Sequence, residues 1–306
     1  MNYEQLLSDM MQKDDRYMIL TAENRSAMRN ISNTIPDRFI DTGIAEQTMV
    51  GMAAGLASRG RIPIVHALAT FLTLRAFEFI RTDIGIANLP VKLVGAVPGF
   101  LSDGNGPTHQ AIEDVSLMRG IPTMNVFCPA DEEDLILGIE KIFPYNSPFY
   151  IRYNNLKPVV KHSPFEIGKA EVLFEGDIMI LTYGLLLKEA LLAREILLSE
   201  NISAGVINMR SLKPLDRETV SDYCRRSDLI VTLEDHFITG GLFSILSEMM
   251  VFENISCEIF PIGLKSWFKP ALLNDVLEYE GFTGKAIAHK ISKKFKSDNN
   301  LFKLSW

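Results

Sequence analysis

Glu46 is the one formal charge in the stretch TGIAEQTMVGMAAGLAS, from Thr42 to Ser58. Burial disfavours the charged form of a carboxyl group, so a glutamate among Gly, Ala, Met, Val and Leu must find a partner or take up a proton. Either state suits proton sharing with a ligand. The alternative is a first-turn glutamate that faces water and is favoured by the helix dipole. Small residues at every turn imply close packing, which tips the reading towards burial.

Further on, Phe71, Leu74 and Phe77 recur at three-residue spacing where a strand passes into a helix, and so share one stripe. Such a stripe lines a core more often than a cofactor pocket. His66, on the preceding apolar strand, reads as a satisfied core histidine. After the run VKLVGAV comes PGFLSDGNGPTHQ, where Pro98, Gly99, Gly104, Gly106 and Pro107 fall within ten positions and precede Thr108, His109 and Gln110. Ligand sites in parallel α/β sheets lie beyond the carboxyl ends of strands, which suits this loop. His109 can act there as an acid, a base or a hydroxyl binder, because an unperturbed imidazole titrates near neutrality. A capping histidine without chemistry is the alternative, and Asp103-Gly104-Asn105 could be only a tight turn.

Glu234-Asp235-His236 ends a strand and Gly240-Gly241-Leu242 opens a helix, a turn that can bind an anion. No second phosphate grip accompanies it, so a structural or interface role is expected. GxGxxG, Walker A, HExxH and GxSxG do not occur. Cys128, Cys224 and Cys257 lie far apart without zinc-type spacing and are read as reduced thiols of a cytoplasmic protein.

The elements that must hold these residues follow an alternation of short apolar runs and longer amphipathic stretches, the pattern of an α/β fold with parallel strands and crossover helices. Strands are expected at Tyr17–Thr21, Phe39–Asp41, Ile62–Ala67, Val91–Val97, Asn125–Cys128 and Phe149–Arg152. Helices are expected at Glu4–Lys13, Ile44–Ser58, Leu74–Asp83, Ile112–Met118 and Asp131–Phe143. The rhythm restarts with strands at Asp177–Thr182, Ala204–Asn208, Leu229–Leu233 and Cys257–Ile262, and with helices at Leu187–Glu200, Arg217–Arg226, Gly241–Phe252 and Ala271–Tyr279. Between the halves, NNLKPVVKHSP has two prolines and no period. The expected organisation is a first domain over 1–155, a linker over 156–165 and a second domain over 166–306, ending in a polar, loosely held tail, KKFKSDNNLFKLSW. With 306 residues, 47% hydrophobic and 23% charged, two ordinary cores are within reach. The charge balance, 31 Lys and Arg against 38 Asp and Glu, gives −7 and argues against nucleic-acid and anionic-membrane partners. No uninterrupted apolar run approaches the length of about 18 residues that a spanning helix needs.

The segments GIAEQTMVGMAAGLASRGRIPIVHALATFL, RAFEFIRTDI, DGNGPTHQAIEDVSLMRGIPTMNVFCPADEED and SPFYIRY, in this order, closely resemble the pyrimidine-binding domain of the thiamine-diphosphate family of transketolases. VINMRSLKPLD and VTLEDHFITGGL resemble that family's carboxyl-terminal domain. The resemblance covers nearly the whole chain and implies the carboxyl-terminal subunit of a split transketolase, with two domains that are each a mainly parallel sheet flanked by helices. The family's magnesium and diphosphate motif begins GDG, which does not occur here. The resemblance therefore implies that thiamine diphosphate and Mg2+ are held mainly by an amino-terminal partner subunit, in a heterotetramer built on homodimer contacts. No metal ligand is assigned to this chain.

The resemblance implies that Glu46 hydrogen-bonds the ring nitrogen of the cofactor's aminopyrimidine, that Phe71 and Phe77 wall it together with Ile44, and that Leu74 stands where a stacking phenylalanine is usual. His109 would contact substrate oxygens, and Arg152 would bind a sugar phosphate through its rigid fork. Val97 stands where many family members carry a phosphate-contacting histidine, and Asn105 where they carry an aspartate that reads a ketose hydroxyl. Thr21 to Ser26 only loosely follows the family's DADLS-like segment. The implied reaction is transfer of a two-carbon ketol unit from a ketose to an aldose-type acceptor. The departures imply poor use of xylulose 5-phosphate and fructose 6-phosphate beside another ketose or a modified, nucleotide-linked sugar. Alternatives are the beta subunit of a 2-oxo-acid dehydrogenase decarboxylase component, an acyl transferase like deoxyxylulose-phosphate synthase, and a catalytically dead scaffolding subunit.

Overall fold

Strands β1 (Tyr17–Thr21), β2 (Phe39–Asp41), β3 (Ile62–Leu68), β4 (Lys92–Ala96), β5 (Asn125–Phe127) and β6 (Phe149–Arg152) form the first half of the fold in the computed structural model, which describes residues 1–303. The second half contains β7 (Glu171–Phe174), β8 (Ile178–Thr182), β9 (Ala204–Asn208), β10 (Ser211–Lys213), β11 (Leu229–Phe237) and β12 (Ile259–Leu264). They make a seven-stranded sheet in the order β10-β5-β6-β4-β3-β1-β2 and a five-stranded sheet in the order β12-β11-β8-β9-β7. Pairing is parallel except for β10 on β5 and β7 on β9. Central strands such as β1 and β8 are buried along their whole length, as expected where helices cover both faces of a parallel sheet.

Neighbouring parallel strands bring their carboxyl ends to one edge of the first sheet. The residues that follow β1, β2, β3 and β4 are Ala22 to Ser26, the turn into Glu46, the turn into Phe71, and the loop from Val97. These are the segments in which a site was expected.

The structure departs from the expected elements in several places. β7 and β10 are short edge strands without a legible period. β10 crosses from the second half to pair with β5, so the halves share a sheet. The expected helix Leu74–Asp83 is instead a π-helical run, Phe71–Arg75 and Ile80–Gly85, around a short α-helical turn at Phe77–Phe79. Within the expected linker, His162 is buried between Asp131 and Glu171, at 2.9 and 2.8 Å, and anchors the stretch to both halves. The expected tail continues the helix Gly284–Lys303, and its last residues, 304–306, lie outside the described residues.

Candidate active site

Gly43 turns the chain after β2 at φ +67°, a conformation that glycine adopts without strain, and its N–H donates to Asp41 Oδ1 at 3.0 Å. The helix Glu46–Ala57 starts three residues beyond, after Ala45 at φ −145° and ψ 64°, with Glu46 in its first turn. Met49, Val50, Ala53, Ala54 and Ala57 are buried, and these small side chains let the helix lie close on the sheet. Glu46 goes in with them and is only 2% exposed.

Its partner was not foreseen. Arg75 Nη1 donates to Glu46 Oε2 at 2.9 Å, and the Arg75 guanidinium lies 4.2 Å from the centre of the Phe71 ring. Gln47 reaches the Arg75 carbonyl at 3.3 Å and fastens the two segments together. Phe71 in turn meets His109 edge-on, with ring centres 5.1 Å apart. Thr108 Oγ1 lies 2.9 Å from His109 Nδ1 and orients that imidazole. Glu46, Arg75, Phe71 and His109 thus make one continuous chain of contacts drawn from three different strand ends.

Beside them lies a cavity of about 340 Å³ lined by Glu46, Ile44, Leu68, Phe71 and the loop from Ala22 to Ser26. Ile44 is 72% exposed and opens outward. The loop is set by Arg25, which pairs with Asp41 at 2.5 Å, and by Asn24 N–H on Thr21 Oγ1 at 2.9 Å. A buried carboxylate flanked by apolar and aromatic walls fits a flat nitrogen heterocycle: the carboxylate pairs with a ring nitrogen and the walls cover the ring faces.

Other expected site residues lie elsewhere. Phe77 packs against the hydrophobic core and Leu74 is 42% exposed, and neither lines the cavity. Three-residue spacing makes a stripe on an α-helix, but the hydrogen bond from Ala76 to the Phe71 carbonyl spans five residues and redistributes the side chains. Asn105 is exposed at the tip of the loop after β4.

Arg152, expected to bind a sugar phosphate, does not line the cavity. It is 3% exposed, with Nε on Asp114 Oδ2 at 2.9 Å and Nη1 on Asp235 Oδ1 at 2.6 Å. Burial opposes its charge, yet the two carboxylates hold its pKa above the ordinary arginine value. The guanidinium is engaged on two sides by buried carboxylates, with which a sugar phosphate would have to compete. His66 matches expectation: it is buried, bonded to the Tyr3 hydroxyl at 2.9 Å, and pushed down to about 3 by burial.

Two mainly parallel sheets flanked by helices, with this cavity at the strand ends of the first, define a class, and sequence comparison gives it a name. Residues 1–157 match the transketolase pyrimidine-binding domain and residues 168–287 the transketolase C-terminal domain. The chain belongs to the transketolase family, whose enzymes depend on thiamine diphosphate. Within it, the chain corresponds in extent to the carboxyl-terminal subunit of a split transketolase. It is 37% identical to the 6-deoxy-6-sulfo-D-fructose transketolase subunit SqwH of Clostridium sp. (strain MSTE9), covering 95% of this chain and 94% of that one. It is 32% identical to a putative transketolase C-terminal section of Methanocaldococcus jannaschii, covering 97% and 96%. A solved split-gene transketolase, described as an inactive β4 tetramer, superposes with a TM-score of 0.86 at 34% identity, covering 95% and 96%. The 1-deoxy-D-xylulose-5-phosphate synthase of Dictyoglomus thermophilum is 40% identical over 266 residues, but the match covers only 42% of that enzyme.

Proposed function

We propose that this chain supplies the aminopyrimidine half of a thiamine-diphosphate site that is completed by a separate, GDG-bearing amino-terminal subunit, and that the assembly transfers a two-carbon ketol unit from a ketose to an aldose-type acceptor. The observation that carries the reading is Glu46, buried in an otherwise apolar helix and lining the cavity beside Phe71. Glu46 holds a proton at the pyrimidine ring nitrogen, and Phe71 and Ile44 cover the ring and exclude water from it. When bound, thiamine diphosphate supplies the thiazolium carbon that carries the two-carbon fragment. His109, held against Phe71, contacts the substrate's oxygens, and Asn105 reads a hydroxyl from the loop tip.

Mg2+ and the diphosphate are assigned to the partner, which would carry the GDG motif that does not occur in this sequence. The expected assembly is a heterotetramer built on a dimer of this chain. The inactive β4 tetramer of the split-gene relative supports a chain that associates without the partner yet lacks activity. No helix among the described residues is long and apolar enough to cross a membrane, and the three free cysteines suit a reducing cytoplasm.

For the substrate, the reading is a modified ketose in place of the common sugar phosphates. Val97 removes one expected contact, Asn105 changes the hydroxyl geometry that another can satisfy, Arg152 is engaged internally, and a full-length relative is named for a sulfonated fructose. The test is a donor and acceptor panel with the purified two-subunit enzyme, containing sulfonated, phosphorylated and unmodified ketoses. A modified ketose preferred over xylulose 5-phosphate supports the reading. A kcat/KM for xylulose 5-phosphate with ribose 5-phosphate above about 10⁴ M⁻¹s⁻¹ contradicts the specialised substrate. A second reading, acyl transfer from a 2-oxo acid, has the 40% identity to the deoxyxylulose-phosphate synthase in its favour, and including pyruvate as a donor in the panel decides it.

A further inference from the structure

The loop after β4 carries Asn105 and His109 from the first half of the chain, but the second half fastens it down. At its start, Gly99 sits at φ +55°, and a Cβ there would lie 1.8 Å from Asp235 Oδ2 and 2.8 Å from Arg152 Nη2. Phe100 N–H donates to Asp235 Oδ2 at 3.3 Å. In its middle, Ala271 N–H donates to the Asp103 carbonyl at 3.1 Å, and Gln110 Nε2 to the Phe268 carbonyl at 2.8 Å. At its end, Phe237 N–H donates to the Ile112 carbonyl at 2.9 Å, and Ser116 N–H to His236 Nε2 at 3.3 Å. Consecutive residues of β11, Asp235 to Phe237, therefore clamp both ends of the loop.

The ionic part of the clamp is buried. Asp114, just beyond the loop, accepts from Arg152 Nε and from the Tyr150 hydroxyl at 2.9 and 2.6 Å, and Arg152 passes the connection to Asp235 at 2.6 Å. Asp114, Arg152 and Asp235 are each no more than 3% exposed. At such burial a charged hydrogen bond is hard to replace by water, so the geometry it imposes is rigid. A turn read from the sequence as merely structural thus meets the arginine that was expected at the substrate.

We infer that Asp235 is a positioning residue for the substrate side of the site: with Arg152 and the Phe100 N–H it fixes the loop that presents Asn105 and His109, so the transketolase C-terminal domain sets substrate geometry without touching substrate. This rests on the transketolase reading. The clamp contacts themselves do not involve Glu46, Ile44 or Phe71, and the loop's link to the Glu46 side is the edge contact of His109 on Phe71.

The test uses the two-subunit enzyme with Asp235→Asn, which keeps shape and removes charge, and with Gly99→Ala, which keeps the charges and pushes the loop off Asp235. Both variants should raise KM for the ketose about 10- to 100-fold, as expected when a reacting geometry is displaced by about an ångström. Hydrogen exchange at thiazolium C2, which reads the Glu46 side, should stay within about twofold of wild type. Backbone amides between residues 99 and 112 should exchange faster in both variants. Unchanged KM and unchanged amide exchange in the folded variants overturn the inference, as does a parallel loss of C2 exchange, which would place the hub's effect on the cofactor side. If Asp235→Asn does not fold, Gly99→Ala carries the same comparison. If the wild-type enzyme transfers no ketol unit from any ketose, the transketolase reading fails on its own, and the amide exchange still decides whether Asp235 holds the loop.

Discussion

Glu46 and Arg75 lie 2.9 Å apart at the wall of the cavity, so a ring nitrogen that shares a proton with this carboxylate does so beside a guanidinium or in its place. Replacing Glu46 by Gln keeps the volume and removes the shared proton. In the two-subunit enzyme, C2 hydrogen exchange should fall by about 10²- to 10⁴-fold, the range of a lost acid–base group, with the melting temperature of the chain little changed. Exchange at the wild-type rate would remove Glu46 from its assigned role. Val97 stands at φ +54°, a conformation β-branched residues rarely adopt and histidine adopts more readily. Val97→His should therefore fold, and should add a charge-assisted contact of about 1.5–3 kcal/mol to a phosphorylated ketose. The readout is kcat/KM for xylulose 5-phosphate, expected to rise about tenfold or more; no gain would mean that position 97 does not face the phosphate end. Glu46 was legible because a lone charge in an apolar helix is a local anomaly. Arg75 was not, since nothing in TFLTLRAFE indicates that its guanidinium turns back across the π-helical segment to another helix. The internal partners of Arg152 were not legible either, because an arginine at a strand end looks alike whether it meets ligand or carboxylates 38 and 83 residues away in sequence.

At the scale of elements, the parallel strands were legible as apolar runs, while the short edge strands and the π-helical segment were not, because their geometry follows from tertiary pairing. The segment between the halves shows the difference in energetic terms. His162 bonds Asp131 on one side and Glu171 on the other, and Arg210 adds a contact to Glu171 at 2.6 Å. Burial works against the imidazolium, but the hydrogen bonds to Asp131 and Glu171 outweigh it and push the His162 pKa up to about 10. A pKa raised on folding stabilises the fold fully below the unfolded value, about 6.5, and that stability fades as the pH rises through 10. His162→Gln should cost about 3–5 kcal/mol near pH 7, the usual penalty for removing one partner from a buried ionic set. Urea melts of both proteins should show this gap at pH 7 and a clearly smaller one above pH 10. A gap that does not change with pH would mean that the imidazole is neutral in the fold. Two prolines and the lack of a period marked this stretch as a linker; its single histidine finds its carboxylates on two different elements, which no local pattern reveals.

The whole molecule offers a carboxylate, an aromatic wall and a substrate loop at the strand ends of its seven-stranded sheet, with Asp235 of the second sheet holding the loop and His162 tying the two halves of the chain together. What it supplies at the cavity suits the ring end of a cofactor. The diphosphate end needs the magnesium motif that begins GDG, and that motif is absent from these 306 residues. Division of one site between two chains is therefore the central claim, and isothermal titration of thiamine diphosphate with Mg2+ tests it most directly. The chain alone should show no binding at micromolar cofactor, whereas the same chain mixed with its GDG-bearing partner should bind with a Kd in or below the micromolar range, about −8 kcal/mol. Micromolar binding by the isolated chain would contradict the account.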